Sequence, residues 1–289
     1  MKTILVLTDF SINAHYVAHY ALELAQKIRA NLLVCNIYEV PAGEETTDRN
    51  SWPLRPSEEN SVYDLGELVA QLKTTLDEQK AGKTFRPGIE QCSQEGLVDI
   101  KLNDIMSKYD ILLAIISEHN RDNFNGFFGR DHAWDIIDNA VFPVLVIPYQ
   151  VRFKPFKQIA FATLMKDTDI KALEFLSGLA KYSNAEILIT TVGVKEDAEL
   201  KNEKFIDQAI FMINYPKITY RNIIDGNVAV ALKTMCKNVN IDLMAIVHRR
   251  RSYLQEVFGE SVTRRMMDHP DKPLLIFPCS YVKETFMVC

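Results

Sequence analysis

The chain carries the same pattern twice, and this repetition constrains its fold more than any other feature. Lys2-Thr3-Ile4-Leu5-Val6-Leu7-Thr8 is matched by Lys157-Gln158-Ile159-Ala160-Phe161-Ala162-Thr163, 155 positions further on. Gly96-Leu97-Val98 is matched by Gly226-Asn227-Val228, and Phe142-Pro143-Val144-Leu145-Val146-Ile147-Pro148 by Lys272-Pro273-Leu274-Leu275-Ile276-Phe277-Pro278, both 130 positions on. Asp110 in Tyr109-Asp110-Ile111-Leu112-Leu113 has its counterpart in Asp242 of Ile241-Asp242-Leu243-Met244. The matches keep their order, so one folding unit is present in two copies. The spacing shortens by 25 positions between the first match and Gly96, which places an insertion in the first copy. Residues 41–61, rich in proline and polar side chains, have the chemistry of that loop. The expected domains are 1–150 and 155–289, and 289 residues suit two domains of about 100–200 residues each.

Within each copy, short apolar runs alternate with stretches of helical period. Ile4–Leu7 is a continuous apolar run, as in a strand buried on both faces. Ser11 is placed to cap the following helix, where Ala14, Val17, Ala21, Leu24, Ala25 and Ile28 recur at helical spacing. The first copy then reads as strand 31–39, helix 62–80, strand 84–91, helix 97–108, strand 111–116, helix around 134–137 and strand 144–147. The second reads as strand 158–163, helix 168–182, strand 186–192, helix 197–213, strand 218–224, helix 227–238, strand 242–247, helix 261–268 and strand 273–277. Such alternation predicts an α/β fold: two tandem doubly wound domains, each on a parallel sheet. Ligands of such sheets bind beyond the carboxyl ends of the strands, where strand order reverses. That points to Thr8-Asp9-Phe10-Ser11, to the segment after Ile116, and to their counterparts.

Charge and cysteine usage narrow the function. With 33 basic and 38 acidic residues, the net charge of −5 argues against a general nucleic-acid surface. The apolar run at the N-terminus is too short for a signal peptide, and no stretch reaches the length of a membrane helix. Cys35, Cys92, Cys236, Cys279 and Cys289 are odd in number and scattered, with no CxxC, which supports neither a disulfide framework nor a zinc site. The expectation is a soluble cytoplasmic protein with reduced thiols, Cys35 and Cys279 being inert core residues. His15 and His19 stand at i, i+4, but with no further ligand placed they read as an exposed helix face.

The opening strand with Thr8-Asp9-Phe10-Ser11, the Ala21-Leu22-Glu23-Leu24-Ala25 helix, Ala30-Asn31-Leu32-Leu33-Val34, and the closing Phe142–Pro148 segment resemble a universal stress protein domain, within the adenine nucleotide alpha hydrolase-like group. The resemblance spans the whole chain as a tandem pair, apart from the 41–61 loop. It implies a five-stranded parallel sheet per domain, pairing through the last strands as an internal pseudo-dimer, and ATP or AMP binding in many members. Nucleotide-binding members carry an acidic residue after the first strand and Gly-x2-Gly-x9-Gly-Ser/Thr after the fourth. Glycines there let backbone amides approach phosphate at a helix N-terminus.

Asp9 matches the acidic element. Counted back from Gly129, the two leading glycine positions fall on Ile116 and His119, and the hydroxyl position on Arg130; counted from Pro143, Arg130 and Asp131 take the last two. In the second copy the positions hold Val247, Arg250, Glu260 and Ser261, of which Ser261 alone matches, and Thr163-Leu164 replaces the acidic element. These departures imply weak binding of ATP or AMP at most. Separately, His248-Arg249-Arg250-Arg251 with Arg264-Arg265 forms either an anion pocket for a phosphate or acidic metabolite, or a solvated basic face. No serine–histidine–aspartate order, HExxH, GxSxG or Walker A motif is present, so catalysis has little support. Three readings stand: a regulatory module sensing a small anionic ligand, a ligand-free scaffold for a protein partner, and a slow ATP hydrolase. A homodimer, beyond the internal pairing, is compatible with each.

Overall fold

The structure, a computed structural model, describes residues 1–38, 58–79, 85–118, 130–193, 199–249, 262–267 and 270–283, with backbone alone at 130–132, 199–202 and 283. These residues gather into two compact units: Met1–Ala140 with Tyr149–Phe153, and Val141–Pro148 with Lys154–Cys289.

The first unit runs β1 (Thr3–Leu7), α1 (Ile12–Ile28), β2 (Asn31–Tyr38), α2 (Glu58–Glu78), β3 (Ile89–Glu95), α3 (Val98–Lys108), β4 (Ile111–Ser117) and α4 (Arg130–Asn139). Its strands are all parallel, in the order β3-β2-β1-β4. The second unit runs β5 (Val144–Ile147), β6 (Gln158–Ala162), a 3-10 turn at Asp167–Asp169, α5 (Ile170–Ser183), β7 (Glu186–Gly193), α6 (Glu199–Ile213), β8 (Ile218–Ile224), α7 (Val228–Asn238), β9 (Leu243–His248), α8 (Val262–Met267), β10 (Leu274–Pro278) and α9 (Cys279–Lys283). Here β10-β9-β6-β7-β8 form five parallel strands, and β5 adds antiparallel to β10, Val146 facing Leu274 and Val144 facing Ile276. The doubly wound α/β class is as expected. The allocation differs: the strand that ends the first copy belongs to the second compact unit.

Strands β1, β5 and β10 are buried along their whole length, β1 and β10 each lying between two neighbouring strands of their own unit. In α1 the Ser11 hydroxyl accepts the Ala14 N–H, and the helix stops where Arg29 turns left-handed at φ 57°. In the second unit Phe277 meets Phe161 and Phe175 edge-to-face, at 6.2 and 5.6 Å between ring centres.

The duplication extends to individual hydrogen bonds. Thr8 N–H donates to Cys35 O at 2.9 Å, and Thr163 N–H to Thr190 O at 3.0 Å. Ala30 and Ala185 close the ends of α1 and α5 onto Ala25 and Ala180, and Tyr109 and Val239 close α3 and α7 onto Ile105 and Met235. Arg29 and Asn184 share the left-handed conformation, as do Phe10 and Met165.

Several local expectations need correction. The third strand is Ile89–Glu95, not 84–91, and α2 begins at Glu58, inside the expected loop. His15 and His19 are half-buried rather than exposed. Cys35 is fully buried, but Cys279 is half-buried at the start of α9. Cys289 and Arg251 lie outside the described residues.

Candidate functional site

Strand order reverses between β1 and β4 in the first unit and between β6 and β9 in the second, so the carboxyl ends of those strands are the candidate sites. In the first unit the chain leaves β1 through a tight turn. Phe10, at φ 59°, donates its N–H to Thr8 Oγ1 at 3.1 Å, and Ser11 N–H donates to Asp9 Oδ1 at 3.1 Å. This turn holds the Asp9 carboxylate, half-buried, at the start of α1, where the helix dipole favours an anion. Two asparagines brace the surroundings. Asn36 donates to Thr8 O at 2.7 Å and accepts from the Ser61 hydroxyl at 2.9 Å, and Ser61 and Ser93 share a 2.7 Å bond. Asn13 donates to Glu118 O at 3.3 Å and accepts from Gln150 N–H at 3.2 Å, joining the chain after β4 to α1.

The second unit repeats the turn and changes its chemistry. Met165, at φ 52°, donates its N–H to Thr163 Oγ1 at 2.8 Å. At the position of Asp9 stands Leu164, which is 65% exposed. The acidic group has moved into the 3-10 turn: Asp169, with no exposed surface, accepts the Thr163 hydroxyl at 2.6 Å and the Lys166 N–H at 3.3 Å. Its other oxygen takes a short ion-paired bond from Arg249 Nη2. A buried carboxylate is tolerated only when its charge and lone pairs are met, and here both are. The guanidinium that reads from sequence as part of an anion pocket is therefore committed to an internal carboxylate.

The other sequence-derived site residues divide as follows. Ile116 is a buried residue of β4, and Val247 is half-buried in β9; each puts a β-branched side chain where the resemblance calls for glycine. His248 is buried, its Nδ1 at 3.2 Å from the Thr263 hydroxyl of α8. On α8, Arg264 is exposed and Arg265 half-buried. Arg130 opens α4 with its backbone, and its side chain is outside the description. His119, Gly129, Arg250 and Ser261 lie outside the described residues. The structure thus brings Asp9 together with Thr8 and Ser11, and Arg249 with Asp169. Sequence reasoning missed Asp169, Asn13, Asn36 and Ser61; Asp167-Thr168-Asp169 just before a helix was the available signal for the first. No cluster of three metal-ligating side chains occurs among the described residues, and no described helix is long and apolar enough to cross a membrane.

Comparison with known proteins adds three findings. The sequence profile of the universal stress protein family matches residues 1–148. A universal stress protein from Synechocystis sp. is 24% identical over 299 residues, covering 96% of this chain and the whole of that protein. A universal stress protein from Archaeoglobus fulgidus has a similar fold, with a TM-score of 0.69, 13% identity and 96% of each chain covered. A functionally unknown protein from Pseudomonas aeruginosa also shares the fold, with a TM-score of 0.59, 12% identity, and 97% of this chain and 93% of that one covered.

Proposed function

Because the chain belongs to the universal stress protein family, we propose that it is a non-catalytic, cytoplasmic regulatory module of two domains, 1–150 and 155–289. In this reading the two copies have diverged: the first keeps a weak site for an adenine nucleotide, ATP or AMP, or another small anionic ligand, and the second has exchanged its site for an internal ion pair. The observation that carries the reading is the contrast between Asp9 and Asp169. Asp9 spends one oxygen on the Ser11 N–H of its own turn and stays partly exposed. Asp169 is shut in by Thr163, Lys166 and Arg249.

The residues present fit such a ligand only in part. Asp9 in the first unit is an acceptor suited to the N–H edge of a base or to a hydroxyl. Ile116, where phosphate would need a close backbone approach, weakens the cradle. In the second unit Val247 stands in place of a glycine and Arg249 is neutralised by Asp169, which disfavours an anion at the ends of β6 and β9. Calorimetric titration of the whole chain with ATP, ADP and AMP in magnesium tests this. Weak binding lost in Asp9→Ala and kept in Arg249→Met is expected. A ligand that survives Asp9→Ala and is lost in Arg249→Met would reverse the assignment of the copies, and heat-silent titrations without a thermal shift would remove the nucleotide.

A second reading, a scaffold for a protein partner, is favoured by one feature. The last turn of α6 exposes Ile210, Phe211 and Met212, with Phe211 88% exposed. A pull-down whose specific partner is lost in Phe211→Ser, with nucleotide titrations silent, would favour the scaffold.

A further inference from the structure

Cys35 and Cys92 are 57 positions apart in sequence and directly opposite each other in the sheet. The parallel register of β2 and β3 pairs Cys35 with Cys92, between Val34–Gln91 and Asn36–Ser93. Adjacent strands lie about 4.8 Å apart, inside the Cα separation of about 4.4–6.8 Å that a disulfide bridges. In-register residues project to the same face of the sheet. This pairing sets the two thiols side by side, close enough for each to perturb the other.

The two positions differ in access. Cys35 is fully buried on β2, whereas Cys92 is half-buried on β3, the outermost strand of the first unit's sheet. Besides Cys35 on β2, the groups facing Cys92 come from its own strand, from the end of α3 and from Tyr109 just beyond it. On its own strand Gln94 Nε2 donates to Cys92 Sγ at 3.5 Å, and Glu90 lies on the same face, its Oε2 taking the Tyr109 hydroxyl at 3.1 Å. At the end of α3, Lys108 supplies a positive charge near the sulfur. The contact with Cys35, the Gln94 bond and Lys108 outweigh burial and bring the Cys92 thiol down to about 6. The same contact, with burial, pushes Cys35 well up, so the pair holds its remaining proton on the inner sulfur.

We infer that Cys35 and Cys92 form a redox-active dithiol that hydroperoxides oxidise to a disulfide across β2 and β3. The Cys92 thiolate attacks one oxygen of hydrogen peroxide. The O–O bond breaks, Cys92 becomes a sulfenic acid, and hydroxide leaves to be protonated to water. The Cys35 sulfur then attacks Cys92 Sγ, the S–O bond breaks, and the thiol proton leaves with the hydroxyl as a second water. Two thiols and one peroxide thus give one disulfide and two waters, the dithiol losing the two electrons that the peroxide gains. A low-molecular-weight thiol reverses the step by exchange.

The experiment uses the full chain, reduced and freed of reductant, treated with increasing hydrogen peroxide. The expected result is loss of two of the five thiols, with a Cys35–Cys92 peptide that appears in non-reducing digests and disappears with dithiothreitol. Cys92→Ser is expected to abolish that link, and Cys35→Ser to leave a Cys92 sulfenic acid that dimedone traps. Limiting iodoacetamide gives a readout independent of oxidation. Alkylation of Cys92 is expected to reach half its maximum near pH 6, and that of buried Cys236, pushed up to about 11, only on the alkaline side. At pH 7 a thiolate fraction about 10⁴ times larger, offset by roughly 2–2.5 orders of lower intrinsic nucleophilicity, leaves Cys92 faster than Cys236 by about thirty- to a hundredfold. Peroxide that leaves residues 35 and 92 unlinked, or that links other cysteines instead, would overturn the proposal. So would half-maximal alkylation of Cys92 above pH 8. If Cys35→Ser does not fold, the unsubstituted chain and Cys92→Ser still decide.

Discussion

The Asp169–Arg249 pair makes the sharpest quantitative claim about the second unit. Asp169 has no exposed surface, and the Arg249 side chain is 23% exposed. Two opposite charges about 4 Å apart attract by about 4 kcal/mol at an effective dielectric constant of ~20. Removing one partner of a buried pair costs about 3–5 kcal/mol, because the survivor is left in a poor solvent. Asp169→Asn keeps the volume and the Thr163 bond but turns an amide donor toward the guanidinium; Arg249 can recover some hydration through its exposed fraction. The expected cost is therefore near the low end, about 3 kcal/mol. Arg249→Met strands a carboxylate with no exposed surface, which keeps its Thr163 and Lys166 bonds, and about 3–5 kcal/mol is expected. The double variant relieves both faults, so a double-mutant cycle should return a coupling of at least about 1.5 kcal/mol. Both tryptophans, Trp52 and Trp134, precede the second unit's main segment at Lys154, so indole fluorescence does not follow it. Urea unfolding by far-ultraviolet circular dichroism, with amide exchange read over residues 158–193, does. A coupling below about 0.5 kcal/mol would mean that Arg249 is solvated and available to an external anion.

Three further outcomes are expected. Arg29→Gly should stabilise the first unit by about 1 kcal/mol, because the exposed cap sits at φ 57°. Asn184→Gly should gain less, asparagine tolerating that conformation; urea midpoints compare the two. His19 is held below 6.5 by burial and by His15, so between its folded and unfolded pKa values the unfolded chain binds more protons. The first unit should accordingly lose stability as pH falls below about 6.5, and His19→Gln should flatten that slope in denaturation followed through Trp134. Phe277→Ala should cost about 3–5 kcal/mol in thermal or urea unfolding, since a fully buried ring with two edge-to-face partners is replaced by a cavity.

The fold was legible where burial is two-sided. Ile4–Leu7, Val144–Ile147 and Leu274–Phe277 are continuous apolar runs, and the repeat located their counterparts. Legibility failed at β3, whose residues Ile89-Glu90-Gln91-Cys92-Ser93-Gln94-Glu95 carry no apolar period. An outermost strand is chosen by its backbone bonds to β2, and these leave no mark in composition. At the site, Asp9 and Ser11 were legible because their partners lie within three residues. Asp169 was not, for its ion-pair partner is 80 positions away and the carboxylate has slid from the strand end into the next turn. The Cys35–Cys92 contact was hidden for the same reason: scattered in sequence, the two meet only once the register of a polar strand is fixed.

The pairing of β5 with β10 has a consequence for any division of this chain. Leu274, Leu275 and Ile276 are buried and hydrogen-bonded on one side to β9 and on the other to Val144–Val146. A polypeptide starting at residue 155 would keep β9 and lose β5, baring a row of unmet amides and carbonyls along an oily ribbon. Such a ribbon is a template for strand addition. The severed half should recruit a second molecule of itself, or aggregate, at concentrations where the intact chain does neither, and supplying residues 141–148 as a peptide should suppress that association.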